Sequence, residues 1–208
     1  MAVVVHSRLV SRSWGAITPT VSLSNGTSMM YGSLVAEGLQ WQSSGILLKG
    51  GCSPAVQYIT DCYQLQLGSN TTAQLDPGSS TPRQRIEFET PKQGDGTSWH
   101  YTWRSYYQSN DLGSTTFFHI MQIFSAAEAN PAFFLDILKQ GVSFKDVQAG
   151  RVVATTSVAT ILATPLQHSL QVTYGPTGSI KYSITNSRTG ASILQYSEPL
   201  GSVGAGGN

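Results

Sequence analysis

The feature that most limits the fold is the alternation of apolar and polar residues in short segments. Residues 168–197 read HSLQVTY-GPTG-SIKYSITN-SRTG-ASILQYS, three alternating segments separated by two glycine-containing turns. Alternation with a period of two is typical of a strand with one buried face, and such turns join strands into hairpins. We therefore predict a meander of three antiparallel strands here.

The same pattern recurs along the chain, and helical periodicity is nearly absent. Further strands are predicted at SRSWGAITP, GLQWQS, CYQLQLG, RQRIEFET, SWHYTWRSYY, TTFFHIMQIFS and AFFLDILK. The last could be a helix beginning at Pro131, but we favour a strand because its residues alternate. No fixed-period repeat is visible. We predict an all-β, two-sheet jelly-roll β-sandwich (concanavalin A-like) over residues 1–200 and a flexible Gly-rich tail over 201–208.

Composition excludes several classes of partner. The 208 residues fit one domain, only 11% are charged, and the net charge is +1. A chain with so little charge and no basic run has no electrostatic footprint for nucleic acid or anionic membrane. No apolar stretch approaches the roughly 20 residues that span a bilayer. We expect neither nucleic acid nor membrane as a partner.

Two cysteines lie close together in CSPAVQYITDC, and Cys52 and Cys62 are predicted to form a disulfide, with two free buried thiols as the alternative. No second Cys or His pair has zinc-ligand spacing, so no metal is expected. Two glycosylation sequons, at Asn25 and Asn70, agree with an extracellular protein. No signal peptide is visible, so the chain is given without its export signal or never had one.

The segment RQRIEFET places four charges on one strand face. Arg83, Arg85, Glu87 and Glu89 alternate with more apolar neighbours. One interpretation is a solvated face with cross-strand ion pairs. The other is a groove in which Arg85 or Arg83 binds an anionic ligand through its planar fork. A glycoside hydrolase using the two glutamates is a weaker alternative.

Two later segments carry further candidates. In SWHYTWRSYY an aromatic face, expected in the core, alternates with a polar face of His100, Thr102, Arg104 and Tyr106. In FFHIMQIFS, His119 and Gln122 point to opposite faces unless a bulge intervenes. Asp136 is expected at the surface, and His168, for which we find no partner, is expected to be exposed.

These strands resemble those of the jelly-roll polysaccharide lyases, of the alginate and glucuronan lyase type. In that family an R-x-E strand, a Q-I-H strand and a late Tyr/Lys-bearing strand line one concave cleft. RIE (85–87) resembles the first, QIF (122–124) the second in part, and IKYSI, with Lys181 and Tyr182, the third. Phe124 stands at the position of the family's histidine. The sequence also looks like uncharacterised secreted fungal proteins of this type.

The resemblance implies β-elimination at a uronic acid of an acidic polysaccharide, without metal or cofactor. Arg85 and Gln122 would neutralise the carboxylate. His119 or His100 would abstract the C5 proton. Tyr182 or Tyr106 would protonate the leaving oxygen. The expected substrate-binding residues are Arg83, Glu87, Arg104, Tyr106 and Lys181. A non-catalytic, lectin-like carbohydrate-binding protein on the same scaffold is the alternative, and a structural protein without a ligand is a third possibility.

Overall fold

The computed structural model describes residues 20–52, 61–70, 72–77, 80–108, 114–125, 127 and 130–204. In these ranges the chain forms fourteen strands and one short helix, α1 (Val158–Ile161). The strands are β1 (Val21–Asn25), β2 (Met30–Leu34), β3 (Leu39–Ser43), β4 (Ile46–Lys49), β5 (Tyr63–Gln66), β6 (Ile86–Glu89), β7 (Ser98–Ser105), β8 (His119–Phe124), β9 (Pro131–Leu138), β10 (Gly141–Asp146), β11 (Arg151–Thr156), β12 (Leu166–Thr173), β13 (Gly175–Asn186) and β14 (Ser192–Val203). No helix in this part of the chain is long and apolar enough to cross a membrane.

The strands form four antiparallel sheets in two compact units, Met1–Pro91 and Lys92–Asn208. The first unit contains sheet I, with strand order β1-β4-β5, and sheet II, with order β2-β3-β6. The second contains sheet III, with order β11-β10-β9-β8, and sheet IV, with order β14-β13-β12-β7. The all-β class predicted from the alternation is therefore confirmed.

The first unit is a small sandwich-like pair of sheets around one apolar cluster. Leu47 of sheet I is fully buried together with Ile86 and Phe88 of sheet II. The Tyr63 ring of sheet I packs on the Phe88 ring with centroids 5.0 Å apart. Buried apolar surface is the main source of stability for such a unit.

The second unit is a larger sandwich-like pair with an aromatic core between its sheets. Phe144 of sheet III contacts Tyr182 and Tyr196 of sheet IV, with ring centroids 5.0 Å and 5.8 Å apart. Phe133 of sheet III stacks beside Phe144 at 5.6 Å. Tilted and edge-on arrangements of this kind are favourable for aromatic pairs.

The predicted meander is confirmed as β12, β13 and β14. In β13 the side chains of Ile180, Tyr182 and Ile184 are buried, and the residues between them lie on the other face, as a period of two requires. The SRTG turn ends at Gly190, whose φ of 73° suits glycine and whose N–H donates to the Asn186 carbonyl.

Other expected strands are confirmed at β3, β5, β6, β7 and β8, and the AFFLDILK segment is the strand β9 rather than a helix. The expected strand SRSWGAITP lies outside the described residues. Strands β1, β2, β4, β10 and β11 were not predicted. The jelly-roll connectivity and the single domain over residues 1–200 stay predictions. Strand β14 continues through residues 201–203, which were expected to begin the tail, and Val203 is buried there.

Candidate functional site

The outer face of sheet IV, which points away from sheet III, is polar in successive rows that cross its strands. Strand register aligns His100, Gln171, Lys181 and Ser197 in one row, Thr102, Ser169, Ser183 and Gln195 in the next, and Arg104, Gln167 and Thr185 in a third. We call these residues the polar face. It contains no carboxylate, and its basic side chains are those of Arg104, Lys181 and His100.

Alternation along the strands produces this face. Residues of the opposite parity, such as Trp103, Leu170 and Ile180, are buried between the sheets. The predicted division of β7 into an aromatic side and a polar side is thereby confirmed. On the aromatic side, however, only Trp103 is fully buried, since Trp99 at the strand's beginning is 44% exposed.

Hydrogen bonds between neighbouring strands order part of the polar face. The Arg104 Nε donates to Gln167 Oε1 at 3.0 Å. His100 Nε2 and Ser169 Oγ are 2.8 Å apart. These cross-strand contacts restrict the side chains of Arg104 and His100. The side chains of Gln171 and Lys181 are exposed to solvent.

An open groove of about 410 Å³ crosses the four strands of sheet IV beside the row of Gln171, Lys181 and Ser197, and its lining includes residues of both parities. Its lining is Ser98, Trp99, Gln171, Val172, Thr173, Ser179, Ile180, Lys181, Ser197, Glu198 and Pro199. The volume is within the range of small-ligand sites. The one acid of this lining, Glu198, accepts a hydrogen bond from the Tyr196 hydroxyl.

Of the residues expected to bind substrate, the structure brings Arg104 and Lys181 to the polar face. Tyr106 follows the end of β7 and is half-buried. Sequence analysis missed Gln171 and Ser169. The alternation contained the signal, because Gln167, Ser169 and Gln171 are every second residue of β12, opposite in parity to Leu166, Leu170 and Val172.

Ser105, His168 and Tyr182 form a chain of hydrogen bonds in the core of the second unit. His168 Nε2 lies 2.7 Å from Ser105 Oγ, and its Nδ1 lies 2.8 Å from the Tyr182 hydroxyl. The Trp103 ring stacks on the imidazole with centroids 4.7 Å apart. Burial lowers the pKa of His168 to about 3 and raises that of Tyr182 well above its ordinary value.

Two expectations are corrected by this arrangement. His168 is 1% exposed rather than at the surface, because the alternation places it on the same side as Leu170 and Val172. Tyr182 is fully buried and hydrogen-bonded to His168, so its hydroxyl is not positioned to protonate the leaving oxygen of a polysaccharide. Neither residue lines the groove described above.

His119 and Gln122 lie on the same face of sheet III. His119 pairs with Asp136 and Gln122 with Phe134, two residues along β9 and therefore on one side of the sheet. A register shift between His119 and Met121 adds one residue to β8 and reverses the parity. A bulge was the stated exception to the expectation of opposite faces, and the structure shows that bulge.

A hydrogen bond and two aromatic rings fix the orientation of the His119 imidazole. Its Nδ1 is hydrogen-bonded to Asp136 Oδ1, and the ring lies between Phe117 and Phe134, with centroids 4.2 Å and 4.1 Å away. The Lys145 ammonium is 3.9 Å from Asp136 Oδ2. Asp136 is 2% exposed, not at the surface as expected, and its buried carboxylate is paired with the His119 imidazole and the Lys145 ammonium.

Arg85 lies in the first unit and is engaged by two carboxylates. Its Nη2 is 2.9 Å from Asp76 Oδ2, and its Nη1 is 3.1 Å from Glu87 Oε2. Gln42 from β3 donates to Glu87 at 3.0 Å and also contacts Glu89. These ion pairs join Arg85 to its own strand and to a loop, and both acids are buried, so the face differs from a solvated one with cross-strand ion pairs. Arg83 is exposed, with its Nε 4.0 Å from the same Asp76 oxygen.

The predicted disulfide between Cys52 and Cys62 is confirmed. It closes a loop with a sequence separation of 10 in the first unit, and the Gly50 N–H donates to the Cys62 carbonyl beside it. Across the residues placed by the structure, no group of three or more His, Cys, Asp or Glu side chains is arranged to hold a metal ion.

Comparison with known proteins does not identify the chain. No protein family, no curated protein and no solved structure matches the chain. The resemblance to jelly-roll polysaccharide lyases stays a prediction drawn from the residues of three strands.

Proposed function

We propose that this protein binds an acidic glycan, in the manner of a lectin, through the polar face and its groove. The observation that carries the proposal is the rows of amide, hydroxyl and cationic side chains that contain no carboxylate. An extracellular location, which the Cys52–Cys62 disulfide fits, would bring it to such a ligand.

The residue types suit a sugar ligand. Sugar hydroxyls donate and accept hydrogen bonds, and Gln, Ser and Thr side chains also do both. Gln171 and Ser197 flank Lys181 within one row, so a bound sugar could be contacted from both sides of the ammonium group.

The charges favour an acidic glycan over a neutral one. Lys181 and His100 belong to one row of the polar face. Arg104 is on the same face, two rows further along β7. Carboxylates or sulfates of a polysaccharide would meet cations here without a competing acid in the rows. Binding through exposed cations must weaken as salt screens them.

Titration calorimetry with a panel of acidic and neutral polysaccharides tests the proposal. We expect binding to an acidic member that weakens with salt, and a loss of about fivefold in affinity for Lys181→Ala, or roughly 1 kcal/mol. Lys139→Ala is the matched control, because it removes the same charge from an exposed turn beside sheet III. Equal losses in both variants, or no binding to any member, would refute the proposal.

A second candidate is β-elimination at the His119 face of sheet III, favoured by the bulge that places His119 and Gln122 on one side. A base oriented by a buried carboxylate and an amide next to it are two of the groups that uronate elimination needs. The ultraviolet absorbance of the unsaturated uronate product tests this candidate. A rise that His119→Gln abolishes and His100→Gln preserves supports it, and a flat trace across acidic polysaccharides refutes it.

A further inference from the structure

The two glycosylation sequons of the chain share one local geometry, and neither belongs to the polar face. Asn25 ends strand β1, and Asn70 follows strand β5; both side chains are exposed. Asn25 Oδ1 accepts hydrogen bonds from the Thr27 N–H at 3.1 Å and from the Thr27 hydroxyl at 2.7 Å. Asn70 Oδ1 accepts the same pair from Thr72, at 3.0 Å and 2.8 Å.

In both sequons the hydrogen bonds engage Oδ1 of the asparagine amide and not Nδ2. Because Oδ1 faces the backbone and hydroxyl of the threonine, Nδ2 lies on the opposite side of the planar amide. In the described part of the chain, neither Asn25 Nδ2 nor Asn70 Nδ2 donates to a protein acceptor. The threonine hydroxyl is the element that a glycosylation sequon requires two residues after asparagine.

Asn186 occupies a comparable turn that lacks the threonine hydroxyl of a glycosylation sequon. Its Oδ1 also accepts from two backbone N–H groups, of Arg188 at 2.9 Å and of Thr189 at 3.1 Å. The residue two positions later is an arginine, so no hydroxyl contacts the amide. Asn186 therefore has a similar turn without the acceptor motif.

Strand register brings the two sequons to the same end of sheet I. Asn25 pairs with Ile46, and Ile46 pairs with Gln66, which is followed by the loop that carries Asn70. The Gln84 side chain fixes that loop, because its Nε2 donates to the Asn70 carbonyl at 3.0 Å and its Oε1 accepts from the Gly68 N–H at 2.8 Å. Both acceptor amides thus project from ordered positions.

We propose that Asn25 and Asn70 are N-glycosylated, so that two glycans stand at one end of sheet I. The donor class is an oligosaccharide linked through pyrophosphate to a lipid. Asparagine Nδ2 forms a bond to the anomeric carbon, the bond from that carbon to the pyrophosphate oxygen breaks, and lipid pyrophosphate leaves with the electron pair. The proton lost from Nδ2 passes to a base of the transferase. The modification requires entry into a secretory compartment and is independent of glycan binding by the polar face.

Peptide mapping of the full chain secreted from eukaryotic cells tests the proposal. Enzymatic release of N-glycans converts each glycosylated asparagine to aspartate, so the mapped peptides report occupancy at each site of the unsubstituted protein. We expect conversion at both Asn25 and Asn70 and none at Asn186. Secreted protein that carries either sequon unmodified would overturn the proposal, because the two sites share one geometry.

Matched variants separate the sequon from its surroundings. Thr27→Ser keeps a hydroxyl donor and should keep the glycan on Asn25, whereas Thr27→Ala should lose that glycan alone. Thr72→Ala should likewise lose only the glycan on Asn70. If Thr27→Ala is not secreted, the mapping of the unsubstituted chain still decides. Retention of the Asn25 glycan in a secreted Thr27→Ala protein would contradict the assigned role of the hydroxyl.

Discussion

Acid should destabilise this protein through one buried histidine. His168 lies in the core of the second unit between Ser105 and Tyr182, and burial lowers its pKa from 6.5 to about 3. The folded state therefore keeps the imidazole neutral, while in the unfolded chain it has its ordinary pKa. Below pH 6.5 the unfolded state binds a proton that the folded state does not. Stability from this group is complete above pH 6.5 and is lost as the pH falls toward 3.

The magnitude follows from the linkage of protonation to folding. One proton bound only by the unfolded state costs about 1.4 kcal/mol of unfolding free energy per pH unit. At about pH 4.5 the loss is near 2.7 kcal/mol, and at about pH 3 it is roughly 4 kcal/mol. Because a domain of this size is stable by roughly 5–15 kcal/mol in total, a loss of this size is readily measured.

Urea unfolding at about pH 7 and at about pH 4.5 measures the effect. We expect His168→Gln to lose less stability between the two pH values than the unsubstituted protein does, by about 2–3 kcal/mol. His100→Gln is the matched control, because it removes an exposed imidazole and should keep the original dependence. If His168→Gln and the unsubstituted protein lose the same free energy, His168 does not titrate as its burial requires.

Three further substitutions test packing and pairing by urea unfolding. Replacing Cys52 with serine opens the disulfide loop and should lower the unfolding free energy of the first unit by about 2–3 kcal/mol. Gly32→Ala should cost about 2 kcal/mol, because an added Cβ would lie 2.5 Å from the Trp41 ring. Asp136→Asn removes the buried carboxylate that pairs with His119 and should cost about 2 kcal/mol.

Controls for these substitutions lie elsewhere in the chain. Gly94→Ala places its Cβ in open space and should leave stability nearly unchanged. After treatment with a reductant, the unsubstituted protein should have the same unfolding free energy as the protein in which Cys52 is replaced by serine. A Gly32→Ala protein as stable as Gly94→Ala would contradict the close approach of the Trp41 ring, and a neutral Asp136→Asn would contradict the pairing.

Sequence patterning predicts much of the fold because period-two alternation is a local property. It identifies β3, β5 to β9 and the meander, and it also contains the inward orientation of Tyr182, which lies between Ile180 and Ile184 with the same parity. Strand β2, MYGSL, was missed because its apolar residues Met30, Tyr31 and Leu34 do not alternate with polar ones. Its glycine is explained by the Trp41 ring of the neighbouring strand, which is a tertiary contact.

The site is harder to predict because it depends on pairing between distant strands. The bulge in β8 becomes visible only when His119 is aligned with Asp136 and Gln122 with Phe134. The polar face likewise arises when strands from residues 98–105 and 166–203 are placed side by side. Alternation gives each strand its polar side, but register decides which polar side chains are neighbours.

Mapping of backbone amide shifts by nuclear magnetic resonance, during addition of an acidic polysaccharide, shows whether the polar face is the binding surface. We expect the largest changes in the row of Gln171, Lys181 and Ser197 and in the adjacent groove, and we expect Lys181→Ala to reduce them. Changes confined to Arg85 in the first unit or to the His119 face of sheet III, or none anywhere, would contradict binding at the polar face.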